Sequence, residues 1–288
     1  MSRGAVRLSK RSTLLLRGAV GVGLAFIYVP LIVIVIYAFN SSKVLEWPPP
    51  GLTLSWFSKA IENEAAQEAL LTSLKAAAAA TAIALVLGTL ASLAVARHRF
   101  FGRETISFLV VLPIALPGIV TGVAISNTFT QVLGVDLSLF TVIVGHATFC
   151  IVVVYNNVVA RLRRTSVSFE EASADLGGDT WQTFRFVTLP SLKTALAAGA
   201  LLAFALSFDE IIVTTFTLGA REETLPIWIF RNLFRPNELP IVNVVAVLVI
   251  LLSIIPVYLA HRLTREEGGA VGRGGRGDKV EAEATAVP

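Results

Sequence analysis

The amino-acid sequence predicts an all-α membrane protein with six transmembrane helices, and three observations carry that prediction. The 288 residues are 55% hydrophobic and only 15% charged, whereas soluble domains hold about 45–50% apolar and about 25% charged residues. The apolar excess is gathered into long runs nearly free of charge. Lys and Arg are shared unequally between the segments that separate those runs.

A membrane-crossing helix needs about 20 mainly apolar residues at roughly 1.5 Å each. Six segments qualify: 18–39, 70–96, 105–126, 138–160, 194–216 and 241–261. Arg3, Arg7, Lys10, Arg11 and Arg17 precede the first. Its apolar stretch exceeds the about 7–15 residues of a cleaved signal core, and Tyr37-Ala38-Phe39-Asn40 is a poor cleavage site. It therefore reads as a retained span behind an N-terminal segment, 1–17. Pro113, Pro117, Gly118 and Gly122 interrupt the third span and predict a kinked, closely packed helix with a candidate hinge. The segment 266–288 is rich in Gly, Arg, Glu and Ala without apolar periodicity, and reads as a disordered tail. That leaves 18–265 as one six-span membrane domain.

Cationic side chains set the orientation. The N-terminus, 97–104, 161–193 and the segment after 261 together hold 18 Lys and Arg, against five on the opposite side. Positive charge accumulates on the cytoplasmic face, so both termini and the 161–193 loop are expected there. The same asymmetry accounts for the net charge of +4 without a nucleic-acid partner. Cys150 is the single cysteine, which excludes an internal disulfide. His98, His146 and His261 are scattered without ligand spacing, and His146, inside a span, reads as structural. No metal site, cofactor or catalytic residue is expected in this chain. A phosphate-cradling loop of the form G-x-x-x-x-G-K-[ST] is needed to bind ATP, and the chain contains no Gly-Lys dipeptide.

The 161–193 loop has helical content. Ser168 reads as the capping side chain of a helix start, followed by Glu170 and Glu171 in the first turn near its positive end. Gly177-Gly178 stops that helix. Asp179 caps a second helix, Thr180 to Val187, and Leu189-Pro190 is expected to break it before the fifth span. In the fifth span, Ser207-Phe208-Asp209-Glu210 places two adjacent carboxylates in an apolar helix, an expensive arrangement that faces either a cavity or a partner helix. Neighbours on a helix point about 100° apart, so one acid can face a pathway while the other bonds within the bundle. Asn156-Asn157 in the fourth span either lines a path or joins helices.

Here a resemblance becomes specific. Permeases of ABC importers share a loop written E-A-A, three residues, G, nine residues, I-x-L-P. This sequence reads Glu171-Ala172-Ser173, then Gly177, then Val187-Thr188-Leu189-Pro190 at the same spacing, with Ser173 for Ala and Val187 for Ile. The resemblance implies a type I ABC importer permease fold in a bacterial inner membrane. It also implies that Glu171, Ala172, Ser173, Gly177, Val187, Leu189 and Pro190 couple the spans to a separate ATPase. ATP and Mg would belong to that partner. A second homologous permease, two ATPase subunits and an extracytoplasmic binding protein complete the implied assembly. Residues 97–122, Tyr37-Ala38-Phe39-Asn40 and Leu206 to Glu210 resemble the spermidine/putrescine permease group, second-permease type. Asp209, Glu210 and Asn156, polar groups inside apolar spans, are the candidates to line a path, and the resemblance implies a polyamine as the solute. Related permeases carry aminophosphonates, thiamine or iron, and an ion-coupled carrier needing no ATPase is a further class of reading.

Overall fold

The computed structural model describes residues 9–44, 46–235, 239–254 and 258, and the tail expected over 266–288 lies outside them. Two compact units divide the chain, 1–64 with 229–251 and 65–228 with 252–288.

In the first unit, α1 runs from Lys10 to Ala38, and Ser9 caps it by accepting the Ser12 N–H. The helix starts eight residues before the expected span and takes in Lys10, Arg11 and Arg17. Its apolar face is exposed on the isolated chain, as suits a helix solvated by lipid or by another subunit. Where α1 ends, Asn40 pairs with Leu52 in an antiparallel bridge. The Asn40 carbonyl accepts from the buried Trp56 indole at 2.8 Å, anchoring the short helix α2 (Ser55–Ile61).

The second unit is organised around α6 (Leu139–Leu162). Before it comes α3, Glu64–Arg97, whose 34 residues extend about 51 Å and overrun the roughly 30 Å hydrocarbon layer. Its buried face is a row of small side chains, Ala69, Ser73, Ala76, Ala80, Ala84, Gly88 and Ser92, recurring every three or four residues. Small residues let backbones approach closely, and that packing replaces the hydrophobic drive that lipid removes. At Gly88 the approach is limiting, because a Cβ there would sit 3.0 Å from both the Ile151 carbonyl and Val154. Ser92 donates to the Gly88 carbonyl at 2.6 Å and lies 3.1 Å from that of Tyr155 across the interface. Cys150, Val154, Val158 and Leu162 of α6 complete one core with Ala84, Leu192, Ala203 and Val213.

Three expectations about the spans change. The third is more than kinked: α4 (Arg103–Ala115) and α5 (Gly118–Asn127), which runs on as a π turn to Val132, meet at 105°. Pro117 cannot donate a ladder hydrogen bond and pushes Leu116 out of the helical region, and Leu116 is extended (φ −82°, ψ 144°). The fifth span begins earlier and ends sooner than 194–216. Short helices α7 (Ser168–Asp175) and α8 (Thr180–Thr183) come first. A π turn, Phe184–Thr188, then joins α8 directly to α9 (Leu189–Phe208), so one helix runs from Thr180 to Phe208. Pro190 does not break it. Pro190 lies at the start of α9, where the wide π turn has already displaced the carbonyls that a proline ring would meet. The chain then leaves the helix at Asp209 and re-enters one at α10 (Ile212–Thr217), followed by α11 (Leu225–Leu233). Among the described residues four helices are long and apolar enough to cross a membrane, five with the bent pair. Of the sixth expected span, 241–261, the described part is helical within α12 (Leu239–Ile254).

Candidate functional site

Two places gather the residues singled out by sequence. The first is the hairpin of α7 and α8. Helix α7 opens at Ser168 with Glu170 and Glu171 in its first turn, where acids favour the positive helix end. It closes in a Schellman turn: Gly177 donates to the Ala174 carbonyl and Gly178 to that of Ser173, both at 2.9 Å. Gly177 has φ +84°, a left-handed conformation open to glycine and costly for other residues. Asp179 caps α8 by accepting the Gln182 N–H at 2.8 Å, and the Gln182 side chain accepts the Asp179 N–H at 3.0 Å. The expected helix, glycine turn and capped second helix are present, but Ser168 does not cap α7: it is the first helical residue, Val167 holds the cap position without a side-chain bond, and the Ser168 hydroxyl pairs with Ser166 Oγ at 2.6 Å.

The two adjacent acids of α7 diverge. Glu171 is exposed, as are Ala172 and Ala174. Glu170 turns inward, where its carboxylate meets Arg97 Nε at 3.0 Å and accepts from Thr188 Oγ1 at 3.0 Å. Sequence reasoning missed Glu170, Arg97 and Thr188 because nothing in their spacing brings positions 97, 170 and 188 together. Ser173, the departure from the family's Ala, crosses the hairpin to Thr183 at 2.9 Å. Around Glu171 the hairpin displays a hydrophobic surface: Phe169, Leu176, Trp181 and Phe186 are all exposed, Leu176 to 91%. Of the remaining motif residues, Val187 and Leu189 are half-buried and Pro190 is exposed.

The second place is the break between α9 and α10. Asp209 closes α9 and is exposed. Glu210 is half-buried and accepts the Val213 N–H at 2.8 Å, satisfying an orphan donor at the start of α10. Thus Glu210 bonds within the bundle and Asp209 does not. His146, on α6, spans the break from below. Its Nδ1 lies 2.7 Å from Ser207 Oγ and its Nε2 2.8 Å from Thr214 Oγ1. Thr214 spends its own proton on the Glu210 carbonyl at 2.7 Å. It therefore accepts from His146 Nε2–H, leaving Nδ1 to accept from Ser207. The ring, 1% exposed, is fully satisfied by the two helices flanking the break.

Asn156 joins neither group. It is exposed on α6, while Asn157 donates back to the Val153 carbonyl at 2.9 Å. Helices α6 and α9 run antiparallel, with His146 opposite Ser207 and Val154 opposite Gly199. Asn156 therefore lies level with position 197, about 12 residues or roughly 18 Å along the axis from Asp209. Among the described residues no group of three or more His, Cys, Asp or Glu is placed to hold a metal ion.

Long apolar helices, with a capped, exposed hairpin between two of them, define a membrane component. Residues 84–266 match the family described as binding-protein-dependent transport system inner membrane component. The putrescine transport system permease protein PotI of Escherichia coli (strain K12) is 32% identical over 266 residues, covering 88% of this chain and 94% of PotI. The spermidine/putrescine transport system permease protein PotC of the same strain is 31% identical over 244 residues, covering 84% of this chain and 91% of PotC. The fold is similar to that of a chain in a bacterial ABC transporter involved in import of the acidic polysaccharide alginate. There the TM-score is 0.70 at 18% identity, over 91% of this chain and 99% of the other. The chain belongs to the family of inner-membrane permease components of binding-protein-dependent, ABC-type importers.

Proposed function

We propose that this chain forms half of a translocation pathway for a polyamine, putrescine or spermidine, with a second homologous permease supplying the other half. Two ATPase subunits sit at the cytoplasmic face, one of them docking on the 171–190 hairpin, and an extracytoplasmic protein delivers the solute. The observation that carries the coupling part is the outward set of Glu171 beside exposed Leu176, Trp181 and Phe186. An exposed apolar surface interspersed with the acids Glu171, Asp175 and Asp179, and with Arg185 against the Phe186 ring, fits a partner groove of complementary shape and charge. The 18-to-five bias in Lys and Arg supports a cytoplasmic position for that hairpin, where ATP is available. For the cargo, the support is the likeness to PotI and PotC over most of the chain, together with a free carboxylate at Asp209. A carboxylate at a helix break attracts an organic di- or trication without the cost of burial in a continuous helix. ATP and Mg act on the partner; this chain binds and orients solute and transmits motion.

The test is uptake of labelled putrescine into proteoliposomes holding the full complex. Asp209→Asn is expected to lower uptake about tenfold, the loss of roughly 1.4 kcal/mol, with assembly unchanged. Glu171→Arg is expected to release the ATPase during purification. Parental putrescine uptake by Asp209→Asn refutes the path role. Full retention of the ATPase by Glu171→Arg refutes the docking role.

A further inference from the structure

We infer that Arg97, Glu170 and Thr188 form the joint that carries movement of α7 into three membrane helices, so that Glu170 transmits what its neighbour Glu171 receives. The inference rests on the docking reading above and assigns positioning residues to it. Arg97 is the last residue of α3, Leu162 the last of α6, and Thr188 the residue before α9. Glu170 meets Arg97 Nε with both oxygens, at 3.0 and 3.2 Å, and takes the Thr188 hydroxyl at 3.0 Å. The Arg97 guanidinium also reaches the Leu162 carbonyl at 3.5 Å. Beside it, Arg161 at the end of α6 donates to the Ser191 carbonyl of α9 at 2.9 Å. One carboxylate therefore ties α7 to the feet of α3 and α9, and through Arg97 to that of α6.

The covalent routes out of α7 are compliant. Towards α6 the chain passes through the turn at 163–167, and towards α8 it passes through Gly177 and Gly178. A push on α7 delivered through those segments would be absorbed by backbone rotation. The ion pair is the short route, and it is shielded: the Arg97 and Glu170 side chains are 13% and 21% exposed and Thr188 is 6% exposed. Charge-assisted hydrogen bonds out of water are stronger and more directional than exposed ones. Adjacent acids on a helix diverge by about 100°, which lets one face a partner while the other faces the bundle.

The test is amide hydrogen exchange on the complete complex, nucleotide-free and with ATP trapped by vanadate, so no knowledge of the cargo is needed. In the parental complex trapping is expected to change exchange in α7 and in the feet, 92–97 and 186–192, together. In Glu170→Gln the change in α7 should persist while that in the feet falls about threefold or more. A staple with only a structural role would shift both states equally and leave the trapped-minus-free difference intact. Thr188→Val, which removes one hydroxyl and keeps the volume, should give a smaller loss in 186–192, and it decides the matter if Glu170→Gln does not assemble. Feet that respond fully in these variants, or not at all in the parental complex, overturn the joint. A parental chain that retains no ATPase sinks the docking reading as well, whereas intact docking with unaltered feet in the variants sinks the joint alone.

Discussion

At Ser173 and Gly177 single side chains decide whether the hairpin holds its shape. Ser173 stands where the family motif has Ala, yet its hydroxyl bridges α7 to Thr183 on α8. A net side-chain hydrogen bond is worth about 1 kcal/mol. Gly177 at φ +84° would charge alanine about 1–2 kcal/mol for the left-handed conformation. Ser173→Ala and Gly177→Ala are each expected to raise amide exchange over 170–183 about fivefold to tenfold, since roughly 1.4 kcal/mol is a factor of ten. Parental exchange in both would show that the hairpin is held otherwise. The glycine was legible in the sequence because a stop after an acid-started helix follows from local rules. The Ser173 bond was not, because it depends on the fold returning Thr183 across a turn. Likewise the motif resemblance singles out Glu171, but that its neighbour Glu170 turns inward depends on packing against Arg97.

Among the elements, the broken fifth span carries the most meaning. Apolar content alone predicts a helix through 209–210, because hydropathy averages over two charges in a long run. The structure instead breaks at those charges, freeing Asp209 and using Glu210 to restart the helix as α10. His146 holds the two sides through Ser207 and Thr214, and Thr141 Oγ1 lies 2.6 Å from the Thr217 carbonyl at the far end of α10. Replacing His146 with leucine leaves the buried Ser207 hydroxyl without its acceptor, at a cost of about 1–3 kcal/mol, and removes the donor that Thr214 accepts. His146→Leu is therefore expected to increase amide exchange of 212–217 at least about tenfold, while 148–160 stays protected. Unchanged exchange in α10 would remove His146 from the role of clamp. Histidine as a structural group was legible; the helices it joins were not, since residues 146, 207 and 214 share no periodic relation.

For the whole molecule the open quantity is orientation. The charge asymmetry predicts that 9–17 and the α7–α8 hairpin share the cytoplasmic side, with 133–137 opposite. Single cysteines at Ser166 and Leu133, in a Cys150→Ala background, test this with a membrane-impermeant maleimide. Intact cells should label Leu133→Cys only, and inside-out vesicles Ser166→Cys only; the reverse pattern inverts the topology. Fold by itself does not choose the cargo. The same helical framework serves an importer of an acidic polysaccharide and resembles, through sequence, permeases named for cationic polyamines. Discrimination between cargoes is therefore a matter of side chains rather than of the framework.

What the sequence determined by itself is the all-α membrane class, the apolar runs from which the spans are built and the glycine-stopped, Asp179-capped hairpin. Each follows from interactions within about 20 neighbouring residues: apolar length, charge per segment, caps and turn residues. Tertiary structure alone decided where the third and fifth spans break. It decided that Pro190 is absorbed in a π turn, which acid of each pair faces outward, and that Arg97, Glu170 and Thr188 meet. Those outcomes depend on contacts between positions tens of residues apart, and a side chain's partner across a bundle is set by how the helices pack.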